Sequence, residues 1–276
     1  MDTTAIANFT IQKVQNGNIT ELRDQLAVEE PLEIRLQYSN MQKNIAVTMR
    51  TPGNDEELAT GFLFTEGIIQ HSSAILSVQH VNADNNIISV TLHPGIEPQL
   101  QKTERNFYTT SSCGVCGKAS IDAIKTISPF APTADNLVVT DEILYQLTDT
   151  LQTQQAVFES TGGLHASALF DLNGKFIALR EDVGRHNALD KLIGYHLLQD
   201  QLPADNAILL LSGRASFELI QKAAMAGIKI IAAVGAPSSL AVNLAAEYKM
   251  TLVGFLRNKR FNIYTGNQRI RISALA

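Results

Sequence analysis

The chain opens with a polar, weakly patterned stretch over residues 1 to about 30, which reads as a loose arm or an edge strand. From Pro31 the pattern sharpens. Leu32, Ile34 and Leu36 alternate with polar residues through Tyr38, a period of two that predicts a strand. Ile45 to Met49 gives a second strand after the polar turn Ser39 to Asn44, so the pair reads as a hairpin. The period then changes. Asn54 or Asp55 can cap a helix whose positive first turn holds the acids, whose apolar face is Leu58, Phe62 and Leu63, and which Gly67 ends. Strands follow at Ile75 to Val81 and Ile87 to Leu92, completing a small α+β unit. Residues 94 to 112 are polar and aperiodic and read as a linker or extended loop, and Ala119 to Ile127 regains helical spacing before Pro129 and Pro132.

The second half is more regular. Asp141 to Phe158 is predicted as one helix, with Ile143, Leu144, Leu147 and Leu151 on a stripe. After the turn Thr161-Gly162-Gly163, Leu164 to Phe170 and Lys175 to Leu179 form a hairpin around Asn173-Gly174. Glu181 to Gly194 reads as a loop and a helix. From Ala207 the order is strand, helix, strand, helix, strand, with strands at 207–211, 228–234 and 250–256 and helices near 215–226 and 239–248. Such a βαβαβ run implies a parallel sheet. The expectation is an α/β protein of two domains: an α+β part over 1–125 ending in the cysteine loop, and a part with a mostly parallel sheet over 126–276.

Composition narrows the function classes. The 276 residues are 45% hydrophobic and 18% charged, normal for a packed soluble protein, and the net charge of −5 argues against nucleic acid or another polyanion as a partner of the whole surface. No apolar run is long enough for a membrane span, and Met1 to Thr4 lacks the basic and apolar parts of a secretory signal, so the cytoplasm is the expected location. In a reducing compartment the two cysteines, Cys113 and Cys116, are poor candidates for a structural staple.

Glycines 114 and 117 open the Cys113-Gly114-Val115-Cys116-Gly117 loop to a bulky partner, and Lys118 with the following helix start favours thiolate. A zinc site needs two more ligands, which only a distant pairing with His165 and His186 would supply, so no metal site is expected. Thiol chemistry remains, and spacing alone does not separate a dithiol redox switch from a persulfide carrier. Ligands of parallel sheets bind beyond the carboxyl ends of the strands. The loops there, Ser212-Gly213-Arg214, Gly235 to Ser239 and Arg257-Asn258-Lys259-Arg260, place four cations near two helix N-termini, as a phosphate pocket or as ordinary solvated charge. His165 and His186 each read as structural, or as groups able to orient an anion or move a proton.

Taken in order, five blocks resemble the FdhD family of formate dehydrogenase accessory sulfurtransferases. They are Cys113 to Gly117; Thr161-Gly162-Gly163 with His165-Ala166; Glu181 to His186 with Ala188 to Lys191; Ser212 with Arg214 to Ser216; and Leu252 to Phe255 running into Tyr264-Thr265. The resemblance implies a sulfurtransferase acting as sulfur carrier. It takes sulfur from a cysteine desulfurase as a persulfide and passes it to the molybdenum of bis(molybdopterin guanine dinucleotide), bound as substrate, before that cofactor enters formate dehydrogenase. It implies Cys113 as the persulfide-bearing residue and Cys116 as its motif partner. It also implies the stretch Phe255, Leu256, Arg257, Asn258, Lys259 and Arg260 as the cofactor-binding segment. The family's second domain has a three-layer, cytidine-deaminase-like fold, yet here His165-Ala166-Ser167 lacks the glutamate that zinc deaminases need, so deamination is not expected. The rival classes are a cytosolic thiol-disulfide oxidoreductase and a cofactor-binding chaperone without sulfur chemistry. A two-fold homodimer is the base expectation for assembly.

Overall fold

The computed structural model describes residues 5–81, 85–100, 126, 128–130 and 136–273. It begins with a ribbon of two long antiparallel strands, β1 (Ile6–Gln15) and β2 (Asn18–Ala27), paired in unbroken register. Of the two expectations for the polar N-terminal stretch, the edge strand holds and the loose arm does not. Asn16 and Gly17 make the turn with φ of 52° and 81°, the left-handed pair that suits a two-residue hairpin. The ribbon stands largely exposed. With no buried face to fill, its sequence had no need of the apolar alternation that reveals other strands.

A four-stranded sheet follows, in the order β4-β3-β6-β5. It comprises β3 (Glu30–Tyr38), β4 (Met41–Arg50), β5 (Ile75–His80) and β6 (Ile87–Leu92). The alternating Leu32, Ile34 and Leu36 are fully buried, as their period requires. The β3–β4 turn is tighter than the polar run implied: Ser39 and Asn40 alone make it, and Gln42 to Asn44 belong to an edge strand with a solvated face. Helix α1 (Asp55–Thr65) lies where its acids and Gly67 placed it, with Gly67 at φ 73°. Asn54 precedes it without a side-chain cap, and the Asp55 carboxylate is taken by Arg50, whose Nε and Nη2 donate at 3.0 Å each.

The second half adds β7 (Val139–Thr140), α2 (Asp141–Gln154), α3 (Ala156–Thr161), β8 (His165–Asp171), β9 (Phe176–Asp182), α4 (Arg185–Leu198) and β10 (Ala207–Leu211). After these come α5 (Phe217–Met225), β11 (Ile230–Ala233), α6 (Ser239–Glu247), β12 (Thr251–Arg257), β13 (Arg260–Thr265) and β14 (Ile270–Arg271), the last pairing with β7. The single helix expected over 141–158 breaks at Gln155, whose backbone is not helical. The six-stranded sheet runs β13-β12-β11-β10-β8-β9. Its three central strands are parallel through the crossovers α5 and α6, as the βαβαβ pattern predicts. The sheet as a whole is mixed rather than mostly parallel. The outer strands come from hairpins at Asn173-Gly174 and Asn258-Lys259, and so short a connection can only reverse direction.

One face of this sheet is covered by α2, whose Leu144, Leu147 and Leu151 pack on Ala166, Phe170, Leu210 and Val253. The core on the other face is continuous from Leu32 and Ile34 of the four-stranded sheet, through Leu63 and Phe64 of α1, to Leu189, Leu209 and Leu252. Residues on both sides of the expected boundary near 125 thus share one core, while the boundary itself lies outside the described residues. The seam of that core is the crossing of α1 and α4. A Cβ on Gly61 would overlap the Asp190 carbonyl, and one on Gly194 would overlap the Glu57 carbonyl, so the two backbones touch where glycine allows it.

Buried charge fastens the seam. Lys222 Nζ donates to both oxygens of Asp190, at 3.0 and 2.9 Å, and to Thr65 Oγ1 at 2.9 Å. Asp182, fully buried, accepts from Lys191 Nζ at 2.8 Å, Thr51 N at 3.1 Å and Gly184 N at 2.8 Å. Each carboxylate is saturated, the condition under which a buried charge is tolerated.

Candidate functional site

The loops leaving β10, β11 and β12 lock to one another through their backbones. Gly235 N donates to Gly213 O at 2.9 Å, Ser238 N to Ala215 O at 3.0 Å and Phe255 N to Gly235 O at 3.1 Å. Close approach is enforced at Gly254, where a Cβ would lie 2.8 Å from Pro237 Cδ. Strand β8 runs antiparallel to β10, so its first residue, His165, arrives at the same edge. Ser212 fixes that junction: its Oγ accepts Ala166 N–H at 2.8 Å, and its own N donates to Ala166 O at 3.0 Å.

A cavity of about 520 Å³ opens at this edge on the α2 side, within the range of small-molecule sites. Its floor is apolar, formed by Leu151, Leu164, Val234 and Leu256. Polar groups enter from Gln152 and Gln155 on the α2 side, His165 and Ser212 on the sheet side, and Arg257 at the rim. Gly162, Gly163 and Gly213 complete the lining with Thr148 and Phe158.

The stretch Phe255 to Arg260 is distorted. Phe255 has φ 55° inside strand β12, and the β12–β13 register slips between Gly254 and Arg257. A bulky residue in the left-handed region costs about 1–3 kcal/mol. The bulge resets the alternation, so Val253 and Leu256, three residues apart, both reach the α2 face. Of the six expected binding residues, Leu256 and Arg257 line the cavity. Asn258 and Lys259 make the adjoining turn with φ of 53° each, Arg260 pairs with Arg257 across it, and half-buried Phe255 sits on the bulge.

Around His165 the charge is positive. Its pKa lies below the ordinary histidine value, chiefly through burial, then through the fields of Arg185, His186 and Arg214, with Asp182 opposing. The ring is therefore neutral at neutral pH. Arg185 Nε is buried without a hydrogen-bond partner among the described residues. His186 is 2.7 Å from Glu218 Oε2 and 3.3 Å from Ser216 Oγ through the same Nε2. Serine and acid thus share one nitrogen, unlike the opposite-nitrogen arrangement of a hydrolytic triad.

Cys113 and Cys116 lie outside the described residues, as does the helix expected over 119–127 apart from Thr126. The described residues flanking them are tied to the end of α1. Gln99 N donates to Ile68 O at 3.0 Å, and buried Thr126 donates from Oγ1 to Thr65 O at 3.5 Å and accepts from Tyr248 Oη at 3.3 Å. Sequence reasoning missed two parts of the site: Phe158 passed as one more helical residue and Glu181 as loop charge. It also left Asp182, Asp190 and Lys191, which fasten the seam, as a motif without a role. The one usable signal was Glu181 and Asp182 at a strand end, where adjacent acids have opposite faces to serve.

A model of the FdhD/NarQ family matches residues 27–271. The chain belongs to that family. Similar curated proteins carry the name sulfur carrier protein FdhD. The one from Mycobacterium tuberculosis is 48% identical over 96% of this chain and 99% of its own. That of Saccharolobus solfataricus is 40% identical over 96% and 98%. Among solved structures, a Desulfotalea psychrophila protein described as a formate dehydrogenase accessory protein matches with a TM-score of 0.76 and 26% identity, over 97% of this chain and all of that one. The matched span contains every block that carried the resemblance. Among the described residues of this FdhD/NarQ member, no helix is long and apolar enough to cross a membrane.

Proposed function

We propose that this FdhD/NarQ protein is a sulfur carrier that loads a persulfide on Cys113 and delivers its sulfur to molybdenum in a bis(molybdopterin guanine dinucleotide) cofactor destined for formate dehydrogenase. One observation carries the reading: four of the five family blocks fall on described residues, and two of them meet at one cavity edge, through His165 and Ser212, beside Leu256 and Arg257 of the expected cofactor-binding stretch. The fifth block holds the only two cysteines of the chain. The cofactor is the substrate here. Arg257, Lys259 and Arg260 provide cations for its phosphates, and Arg214 and Arg185 extend the positive field toward His165. The second half is read as the three-layer scaffold of the deaminases, used without their zinc chemistry.

The sulfur steps balance as exchange at divalent sulfur. The Cys113 thiolate attacks the outer sulfur of a cysteine desulfurase persulfide, forming a new persulfide on Cys113 and releasing the desulfurase thiolate. Attack by the Cys116 thiolate on Cys113 Sγ then closes a disulfide and expels hydrosulfide, two electrons passing from the thiols to the transferred sulfur. A dithiol reductant resets the pair.

Intact-mass measurement after incubation with a desulfurase and cysteine tests the first step. The wild type is expected to gain one sulfur atom, mapped to the peptide holding Cys113, and Cys113→Ala to gain none while binding GDP normally. Joint loss of sulfur loading and GDP binding would show that the two sites are not separate. Arg257→Ala with Arg260→Ala is expected to do the reverse, weakening GDP in a salt-sensitive manner.

A further inference from the structure

The cavity wall opposite the sheet is α3, a helix of six residues. A helix that short does not persist alone in water. Its anchor comes from a neighbouring strand. Glu181 on β9 accepts Val157 N–H at 3.1 Å on one carboxylate oxygen and Phe158 N–H at 3.0 Å on the other. A carboxylate receiving two N–H groups of a first helical turn is a charge-assisted cap supplied from outside the helix. The Gln155 side chain bonds the same carboxylate, which also accounts for the break between α2 and α3.

What this anchor holds is Phe158. Its ring lines the cavity and is 41% exposed. Across from it lie the apolar floor and the bare backbone of Gly163, where a Cβ would meet nothing in the chain nearer than 3.7 Å. A Cβ there would make only ordinary contacts, with Ala27 Cβ and Thr161, so the fold's own packing does not demand glycine. Arg257 stands at the mouth. An apolar slot with an aromatic wall and a cation at its opening matches a planar heterocycle bearing phosphates.

Resting on the guanine dinucleotide reading above, we propose that this cavity is a base-binding subsite in which Phe158 is the stacking face for the guanine ring and Glu181 is the positioning residue that holds it. The ring enters between Phe158 and the floor, and the phosphates remain outside with Arg257. This places the base on the α2–α3 side of the cavity rather than on Phe255.

The chain contains no tryptophan, so Phe158→Trp in the full-length protein puts a single indole in the cavity. Guanosine and GDP are expected to quench its fluorescence saturably, and inorganic pyrophosphate, which has no ring, to leave it unchanged. By calorimetry, Phe158→Ala is expected to weaken GDP binding about ten-fold, the usual scale of a lost base–aromatic stack. Glu181→Ala is expected to lose a similar factor, Glu181→Gln less because it keeps one acceptor. The double variant Glu181→Ala with Phe158→Ala is expected to lose no more than either alone, since both act through one ring. Additive losses, equal quenching by pyrophosphate, or wild-type GDP affinity in Phe158→Ala would overturn the subsite. If Phe158→Ala binds GDP normally while the Arg257 and Arg260 variant does not, the subsite fails and the cofactor reading stands. If the wild type binds no GDP, both fail.

Discussion

The seam between α1 and α4 and the carboxyl edge of the six-stranded sheet draw on one motif, Glu181 to Lys191, to opposite ends. At the seam every charge is answered: Asp182 by Lys191, Asp190 by Lys222, each with further hydrogen bonds and almost no exposure. At the edge, Arg185 keeps a buried donor without a partner among the described residues, Phe255 holds a strained φ, and Phe158 shows a ring to solvent. Saturation marks the part that holds the halves together. Unmet bonding capacity and strain mark the part proposed to meet a ligand. A motif that reads as one functional block in the sequence is therefore largely architecture, with only its outward-facing members at the site.

Two substitutions break the comparison hardest if it is wrong. Gly61→Ala drives a methyl into the Asp190 carbonyl, backbone against backbone, so α1 and α4 must part. The expected loss is about 3 kcal/mol or more. Gly163→Ala at the exposed cavity edge has room and is expected to change stability by less than about 0.5 kcal/mol. Denaturant unfolding of both measures the contrast, and equal losses would erase it. Lys222→Met comes next. It removes the cation and leaves Asp190 buried beside Thr65, an expected cost of about 3–5 kcal/mol. Adding Asp190→Asn to it is expected to return part of that loss, because no uncompensated charge remains. A double variant as unstable as the sum of its singles would mean that the pair is not coupled.

Much of the core and only part of the edge were legible in the sequence, for a physical reason. Buried faces impose periodicity: Leu32, Ile34 and Leu36 announced β3, and the apolar runs at 207–211 and 250–256 announced the central strands. Gly67 marked a helix end because it takes positive φ there. The β1–β2 ribbon was legible only as one of two alternatives, an edge strand or a loose arm, because it buries no face. The break at Gln155 escaped because its cause, Glu181, lies 26 residues further along the chain. The carboxyl-edge loops could be placed by topology alone, so Arg257 was found at the cavity. The wall opposite could not be, since no local pattern says which side chains a separate strand will anchor.

The gentlest test of the edge as a strained site concerns Phe255. In an ordinary strand, glycine is less stable than alanine by about 0.5–1 kcal/mol, because it loses more backbone freedom on folding. At φ 55° the balance reverses: alanine keeps the left-handed penalty, and glycine does not. Phe255→Gly is therefore expected to be more stable than Phe255→Ala by about 1 kcal/mol, even though both delete the same half-buried ring. The pair cancels the loss of packing and isolates the backbone term, and denaturant midpoints at equal slope measure it. If alanine proves the more stable, β12 relaxes without its bulge, Val253 and Leu256 need not share a face, and the register that brings Arg257 to the cavity mouth is not fixed by the strand. If glycine wins, the strain is carried by the backbone itself, and the loop contact from Phe255 N to Gly235 O is what holds it in place.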